Sequence, residues 1–346
     1  MAAGQLVATA RIHGKGDIRV GQELAVEPGP GDVRLRVTAV GLCGSDLHWY
    51  EEASIGDARL SRPLVLGHEF AGVIVDGPRA GQRVAADPAA DCGHCAPCLE
   101  GRSNLCLAMH FAGHGATDGA LRTLMAWPER LLVPIPDSIG DDEAAVLEPL
   151  GVALHALDLS PVSPGARVGV YGCGPIGLLL VELLRLRGAS AVIATDRLEH
   201  RVAAARAMGA TAAFVVDADA DAGPDVSAVR KLVREQEVDV AFEVSGSDEA
   251  LEDAIAAVRP GGRIVIVGIP RQDRTAFGAG AARRKELSLQ LCRRMVPSDL
   301  PHAVELATRG ELHLSELITH RYPLSLAREA FATLAERSGI KVIVNP

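Results

Sequence analysis

Apolar and polar residues follow two different rhythms along this chain. In the first part, Asp32-Val-Arg-Leu-Arg-Val-Thr-Ala-Val40 alternates apolar with charged residues, the period of a half-buried strand. Glu69-Phe-Ala-Gly-Val-Ile-Val75 reads as a second strand, and glycine and proline interrupt the region at Pro28–Gly31, Gly77-Pro78 and Pro134–Pro136. This pattern predicts a β-rich domain. After Pro161 the rhythm changes. Short apolar runs at Arg167–Tyr171, Ala191–Thr195, Val238–Val244 and Arg263–Gly268 predict strands. Between them, Ile176–Arg187, His200–Met208 and Ala250–Val258 have helical spacing, the first two closed by Gly188 and Gly209. Strands alternating with helices predict an α/β fold with a doubly wound parallel sheet. Leu300–Thr308 predicts one more helix and Ile340–Val344 a last strand; the Asp- and Ala-rich Ala218–Pro224 predicts a solvated loop.

Length and composition narrow the class. A chain of 346 residues is too long for one ordinary core, so two domains are expected. Apolar content of 48% and charged content of 23% fit a globular protein, and a net charge of −9 without a Lys/Arg block argues against nucleic-acid binding. No apolar run is long enough to span a membrane. Met1–Ile12 has no basic stretch followed by an apolar one, so a cytoplasmic location is expected. Four of the seven cysteines fall between Cys92 and Cys106, an odd and clustered set that points to metal or redox chemistry rather than disulfides.

Three motifs carry the chemistry. Gly172-Cys-Gly-Pro-Ile-Gly177 lies between a predicted strand and a predicted helix. Glycines there allow the tight turn, the approach of backbone to a pyrophosphate, and close helix–strand packing. Asp196 ends the next strand, where a carboxylate takes the ribose 2′-hydroxyl and repels a 2′-phosphate, so NAD is favoured over NADP. Arg197 beside it would tolerate a phosphate. The second motif is Cys92-x2-Cys95-x2-Cys98-x7-Cys106. Four thiolates at this spacing can close a tetrahedron around zinc and leave no open position, which makes it a structural site. An iron–sulfur cluster would favour a shorter last spacer. The third set, Cys43-Gly-Ser45-Asp-Leu-His48 with Gly67-His68-Glu69, supplies ligands for a second metal.

Taken in order along the chain, these motifs resemble the zinc-containing medium-chain dehydrogenases. Cys43-Gly-Ser-Asp-Leu-His48, Ile55-Gly-Asp57, Pro63-Leu-Val-Leu-Gly-His-Glu69 and Glu148-Pro-Leu150 are most similar to the sorbitol (polyol) dehydrogenase group. The resemblance implies a GroES-like β-rich catalytic domain (1–152 and 288–346) and a Rossmann domain (153–287). It implies two zinc ions per chain, with Cys43, His68 and either Glu69 or Glu148 at the catalytic one; Glu148 replaces the cysteine of simple alcohol dehydrogenases. Ser45 and His48 would relay the proton. Gly172, Gly174, Pro175, Ile176, Gly177, Asp196, Arg201, Val267 and Gly268 would hold the dinucleotide. Tyr50, Phe111 and His114 are pocket candidates by position, and Arg293 matches a hydroxyl-binding donor.

Two departures stand out. Val75–Val84 is a shortened connection, and Arg294 stands where polyol dehydrogenases carry an aromatic. A second guanidinium would suit a sugar acid, although a surface ion pair accounts for it more simply. Threonine, butanediol and sugar-acid dehydrogenases are therefore rivals within the family. A non-catalytic dinucleotide sensor would lack the open metal site, and a quinone reductase would lack both zinc sets. Relatives assemble as homodimers or homotetramers, and Arg263–Gly268 with 269–282 is the expected interface.

Overall fold

The apolar runs of the second half lack alternation because the sheet they form is covered on both faces. A computed structural model of the chain describes residues 4–216, 223–271 and 273–346. The chain divides into two compact units, Met1–Gly151 with Met295–Pro346, and Val152–Arg294.

The second unit is built on a six-stranded sheet with the spatial order Ala212–Val215, Ala191–Asp196, Arg167–Tyr171, Val238–Glu243, Val258–Ile266, Ser288–Leu291. Every neighbouring pair is parallel. Sequence order reverses between Arg167–Tyr171 and Val238–Glu243, and a ligand crevice opens at the carboxyl ends of strands at such a switch point. Val168, Val170, Val192, Phe242, Ile264 and Val265 are buried. The intervening helices are Pro175–Leu186, Glu199–Ala207, Gly223–Arg234 and Asp248–Ala257.

Two expectations need correction here. The boundary placed at 287/288 falls inside this sheet, because Ser288–Leu291 pairs with the preceding strand from Arg263↔Ser288 to Ile266↔Leu291. Four residues with three exposed side chains gave no apolar signal. The strand expected at Arg263–Gly268 runs from Val258 to Ile266 and has a neighbour on each side, so it offers no edge to a second copy. Ser288–Leu291 is one of the two edge strands among the described residues, and its Leu291 is 71% exposed. The expected Ala218–Pro224 loop lies largely outside the described residues; its last two residues open the Gly223–Arg234 helix.

In the first unit, a seven-stranded sheet runs in the order Leu132–Pro134, Arg83–Ala86, Glu69–Ile74, Asp32–Leu42, Lys341–Asn345, Ile318–Pro323, with Leu124–Pro128 also on Asp32–Leu42. Its core includes Leu35, Val37, Val40, Phe70, Ile74, Val84, Trp127, Phe331 and Val342. The register sets Glu69 opposite Gly41 and Val342 opposite Leu42, which brings the first residues of two strands to the end of a third. Among the described residues, six α-helices that begin in this unit are absent from the sequence reading, three of them short, at Ala96–Leu99, Asp141–Ala145 and Leu314–Leu317. Gly44–Glu52 follows Cys43 directly, Leu147–Leu159 carries Glu148 in its first turn, and Ala327–Glu336 covers the core. Leu147–Leu159 is apolar on nearly every face, so it has no stripe to detect. Among the described residues no helix is long and apolar enough to cross a membrane.

Phe331 is fully buried and packs against Tyr50, joining the Ala327–Glu336 helix to the Gly44–Glu52 helix. Phe331→Ala is expected to destabilise the first unit by about 3–5 kcal/mol. A urea transition followed by tryptophan fluorescence would measure it, since Trp49 and Trp127 both lie in this unit's core.

Candidate active site

Glycine at position 41 makes the site possible. A Cβ there would stand 2.2 Å from Glu69 Oε2, so only glycine lets the carboxylate lie across the strand. Glu69 is 1% exposed, and Lys341 Nζ donates to both of its oxygens at 2.8 and 2.6 Å. Lys341 also donates to the Leu42 carbonyl at 3.1 Å. Burial works against the Lys341 charge, but Glu69 and Cys43 outweigh it and its pKa is raised.

Cys43 stands between the Asp32–Leu42 strand and the Gly44–Glu52 helix, with an extended backbone that starts the helix. Asp46, fully buried one turn on, accepts from the Cys43 amide at 3.0 Å. Its other oxygen lies 3.6 Å from His68 Nδ1. That contact turns the ring so that Nε2 faces Ser45 Oγ at 3.3 Å. A carboxylate behind a ligating imidazole fixes its tautomer and raises its basicity. Burial disfavours a charged His68, yet Asp46 and Cys43 hold its pKa well above the usual value.

The ligand atoms of Cys43, His68 and Glu69 all lie within 4.8 Å of one another. Thiolate, imidazole and carboxylate in one group form a donor set that suits zinc. Glu148 lies outside that group but is buried within electrostatic reach of it: burial pushes its carboxyl up to about 8, against the pull of His68. The aromatic wall is formed by Phe111, whose ring lies 5.3 Å from His68, and by His114, which Trp49 meets edge-on at 5.5 Å. Tyr50 packs its ring on Phe331. His48 Nδ1 lies 3.9 Å from Glu52. Arg293 is exposed and belongs to the second unit, as does Arg294, which takes a left-handed backbone conformation.

The sulfurs of Cys92, Cys95, Cys98 and Cys106 all lie within 4.8 Å of one another. Cys95 Sγ lies 3.4 Å from Cys98 Sγ and 3.9 Å from Cys106 Sγ. Sulfurs 2.3 Å from a common tetrahedral ion would be about 3.8 Å apart, so the four fit zinc. The amides of Cys92 and Ala108 donate to Cys106 Sγ. Backbone donors pull Cys95 down to about 6, whereas desolvation and the neighbouring sulfur push Cys98 up to about 12. A cation bound among them would be needed to hold all four as thiolates.

In the second unit, a Cβ on Gly177 would stand 1.9 Å from the Gly172 carbonyl, which requires glycine where helix meets loop. Gly174 lies close to the Arg201 guanidinium, and Pro175 and Ile176 open the helix. Asp196 accepts from the Cys173 amide at 2.7 Å and the Leu198 amide at 2.9 Å, so it orders the glycine loop. Val267 and Gly268 donate their amides to the Glu243 carbonyl.

Residues 29–137 match the model of the alcohol dehydrogenase GroES-like domain, and residues 175–309 match that of the zinc-binding dehydrogenases. Sorbitol dehydrogenase of Bacillus subtilis is 33% identical over 99% of this chain and 98% of its own. The chain belongs to the zinc-containing medium-chain dehydrogenases. A probable D-xylulose reductase A of Aspergillus terreus is 36% identical over 91% of each chain. The structure of L-idonate 5-dehydrogenase from Escherichia coli superposes with a TM-score of 0.89 at 28% identity over 99% of both chains. As a member of this family the chain is an oxidoreductase that uses zinc and a nicotinamide dinucleotide.

Asp46, Trp49 and Lys341 escaped the sequence reading. Asp46 sits inside a quoted motif without a role, and Lys341 lies 272 positions from its partner Glu69. The available signal was one charged residue heading the apolar strand Lys341–Asn345. Gly41→Ala is expected to displace Glu69 and lower the zinc content from two ions per chain towards one, with the cysteine lobe still loaded. Metal analysis of purified protein measures this; two tightly held ions in the variant would contradict the placement of Glu69.

Proposed function

We propose that this chain oxidises a secondary hydroxyl of a polyol to a ketone and delivers the hydride to NAD. The observation that carries the reading is the half-buried Cys43 beside the buried His68 and Glu69, with their Asp46 and Lys341 supports. Cys43, His68 and Glu69 hold the catalytic zinc, with Glu148 beside them as an acceptor for water or substrate. Cys92, Cys95, Cys98 and Cys106 hold the structural zinc. When bound, the metal polarises the substrate oxygen and the dinucleotide accepts hydride.

The protein's own residues move the proton. Ser45 Oγ accepts it from the substrate hydroxyl as it passes its own onward. His48 stands three positions later on the same helix, on the same face. Glu52 stands 3.9 Å from its Nδ1, and His48 takes the proton on towards solvent. Phe111, Trp49 and His114 line the substrate side. A carboxylate at Asp196 favours NAD by repelling a 2′-phosphate. The two named relatives that act on polyols or ketoses support the substrate class. Arg293 with Arg294, and the likeness to an idonate dehydrogenase, support a sugar acid as the second reading.

None of the seven cysteines is in a disulfide, which fits a reducing compartment such as the cytoplasm. The exposed Ser288–Leu291 edge is the surface through which a homodimer, or each dimer of a homotetramer, would extend the sheet.

Initial rates with NAD on sorbitol, xylitol, ribitol, L-threonine, 2,3-butanediol and L-idonate test the substrate. Polyol turnover well above that of threonine is expected, and turnover of idonate alone would replace the main reading with the second. Ser45→Ala is expected to lower kcat about a hundred-fold. An unchanged rate across pH in that variant would contradict the relay.

A further inference from the structure

Glu243 closes the Val238–Glu243 strand and is 2% exposed. One of its carboxylate oxygens accepts three hydrogen bonds, from the Ser245 amide at 2.7 Å, the Ser245 hydroxyl at 2.7 Å and the Gly246 amide at 2.8 Å. Its backbone carbonyl accepts two more, from the Val267 amide at 2.8 Å and the Gly268 amide at 3.1 Å. A single residue therefore ties together the segments that leave two adjacent parallel strands.

These segments touch backbone to backbone. A Cβ on Gly268 would stand 2.1 Å from the Gly246 amide nitrogen and 2.7 Å from Glu243 Oε2. One on Gly246 would stand 2.3 Å from the Ile269 carbonyl, and one on Gly172 would stand 2.9 Å from the Ser245 amide nitrogen. The pyrophosphate loop, the 244–247 turn and the 267–269 segment thus form one rim with glycine at each contact. The Glu243 carboxylate is the side chain embedded in it.

Topology assigns the parts of that rim. Asp196 and the glycine loop lie on the side of the switch point occupied by Arg167–Tyr171 and Ala191–Asp196, where the adenosine half of a dinucleotide goes. The other half then lies over Val238–Glu243 and Val258–Ile266. We infer that Glu243 is a positioning residue for the nicotinamide half of the cofactor: it shapes the 244–247 and 267–269 walls without touching the adenosine half. This inference rests on the dinucleotide reading given above.

The test compares NADH with ADP-ribose, which keeps the adenosine, pyrophosphate and second ribose but has no nicotinamide. Both are titrated calorimetrically into the zinc-loaded wild type and Glu243→Met. The methionine keeps most of the volume but removes the oxygen that accepts all three hydrogen bonds. Its NADH dissociation constant is expected to rise about tenfold or more, while that for ADP-ribose changes less than about twofold. Ser245→Ala, at an exposed position, removes one donor to Glu243 together with an acceptor for the Ser247 amide; it is expected to shift NADH in the same selective direction by a smaller factor. Equal weakening of both ligands would reduce Glu243 to a structural role and overturn the inference, as would unchanged binding of both in the two variants. Wild-type protein that binds neither ligand would contradict the dinucleotide reading and this inference with it.

Discussion

The first unit depends on burying a carboxylate beside a thiol and an imidazole. Glu69 is at the protein's interior with 1% of its surface exposed, and an isolated charge there would be prohibitively costly. Lys341 meets both of its oxygens from the neighbouring strand, and Gly41 leaves the space in which they meet. Asp46 does the equivalent for His68 from the first turn of a helix. His68 and Glu69 thus each have a charged partner behind them, supplied by different elements. Removing one partner of such a buried pair costs about 3–5 kcal/mol, because the other charge stays behind unmatched.

The same logic gives Glu69 two roles. Its carboxylate is shared between the Lys341 ammonium and the place where the Cys43 and His68 donor atoms converge. An ammonium that already takes part of the negative charge leaves the carboxylate a weaker ligand than a free one would be. A carboxylate in place of a second thiolate also keeps the metal harder, which suits an oxygen-rich substrate. The second unit meets its constraint differently. There the contacts at the carboxyl ends of the strands are backbone on backbone, glycine supplies the clearance, and the Asp196 and Glu243 carboxylates gather the loop amides.

Local signals made much of this legible in the chain. The cysteine spacing, the glycine loop and the strand–helix rhythm each lie within a few dozen residues, and each has few physical readings. What escaped was of two kinds. Lys341 and Asp46 act through contacts that no spacing encodes: one partner is at the far end of the chain, and the other is hidden in a motif read only for its ligands. The Ser288–Leu291 strand and the Leu147–Leu159 helix escaped because periodicity requires contrast between faces. The first is a short edge with exposed side chains, and the second is apolar nearly all round. The misplaced domain boundary followed directly from the first of these. Tyr50 was proposed for the pocket by position alone, and its neighbour Trp49 is the residue that meets His114.

The central claim is that Cys43, His68 and Glu69 hold a zinc distinct from the one in the cysteine lobe. X-ray absorption at the zinc edge of the metal-loaded protein tests it most directly, because it counts sulfur and nitrogen or oxygen neighbours per ion. One ion with four sulfurs and one with a single sulfur average to about 2.5 sulfurs, with the remaining ligands near 2.0–2.1 Å. Cys43→Ala should lose an ion and leave an all-sulfur environment. A wild-type spectrum of four sulfurs per zinc with no light-atom shell would contradict the account.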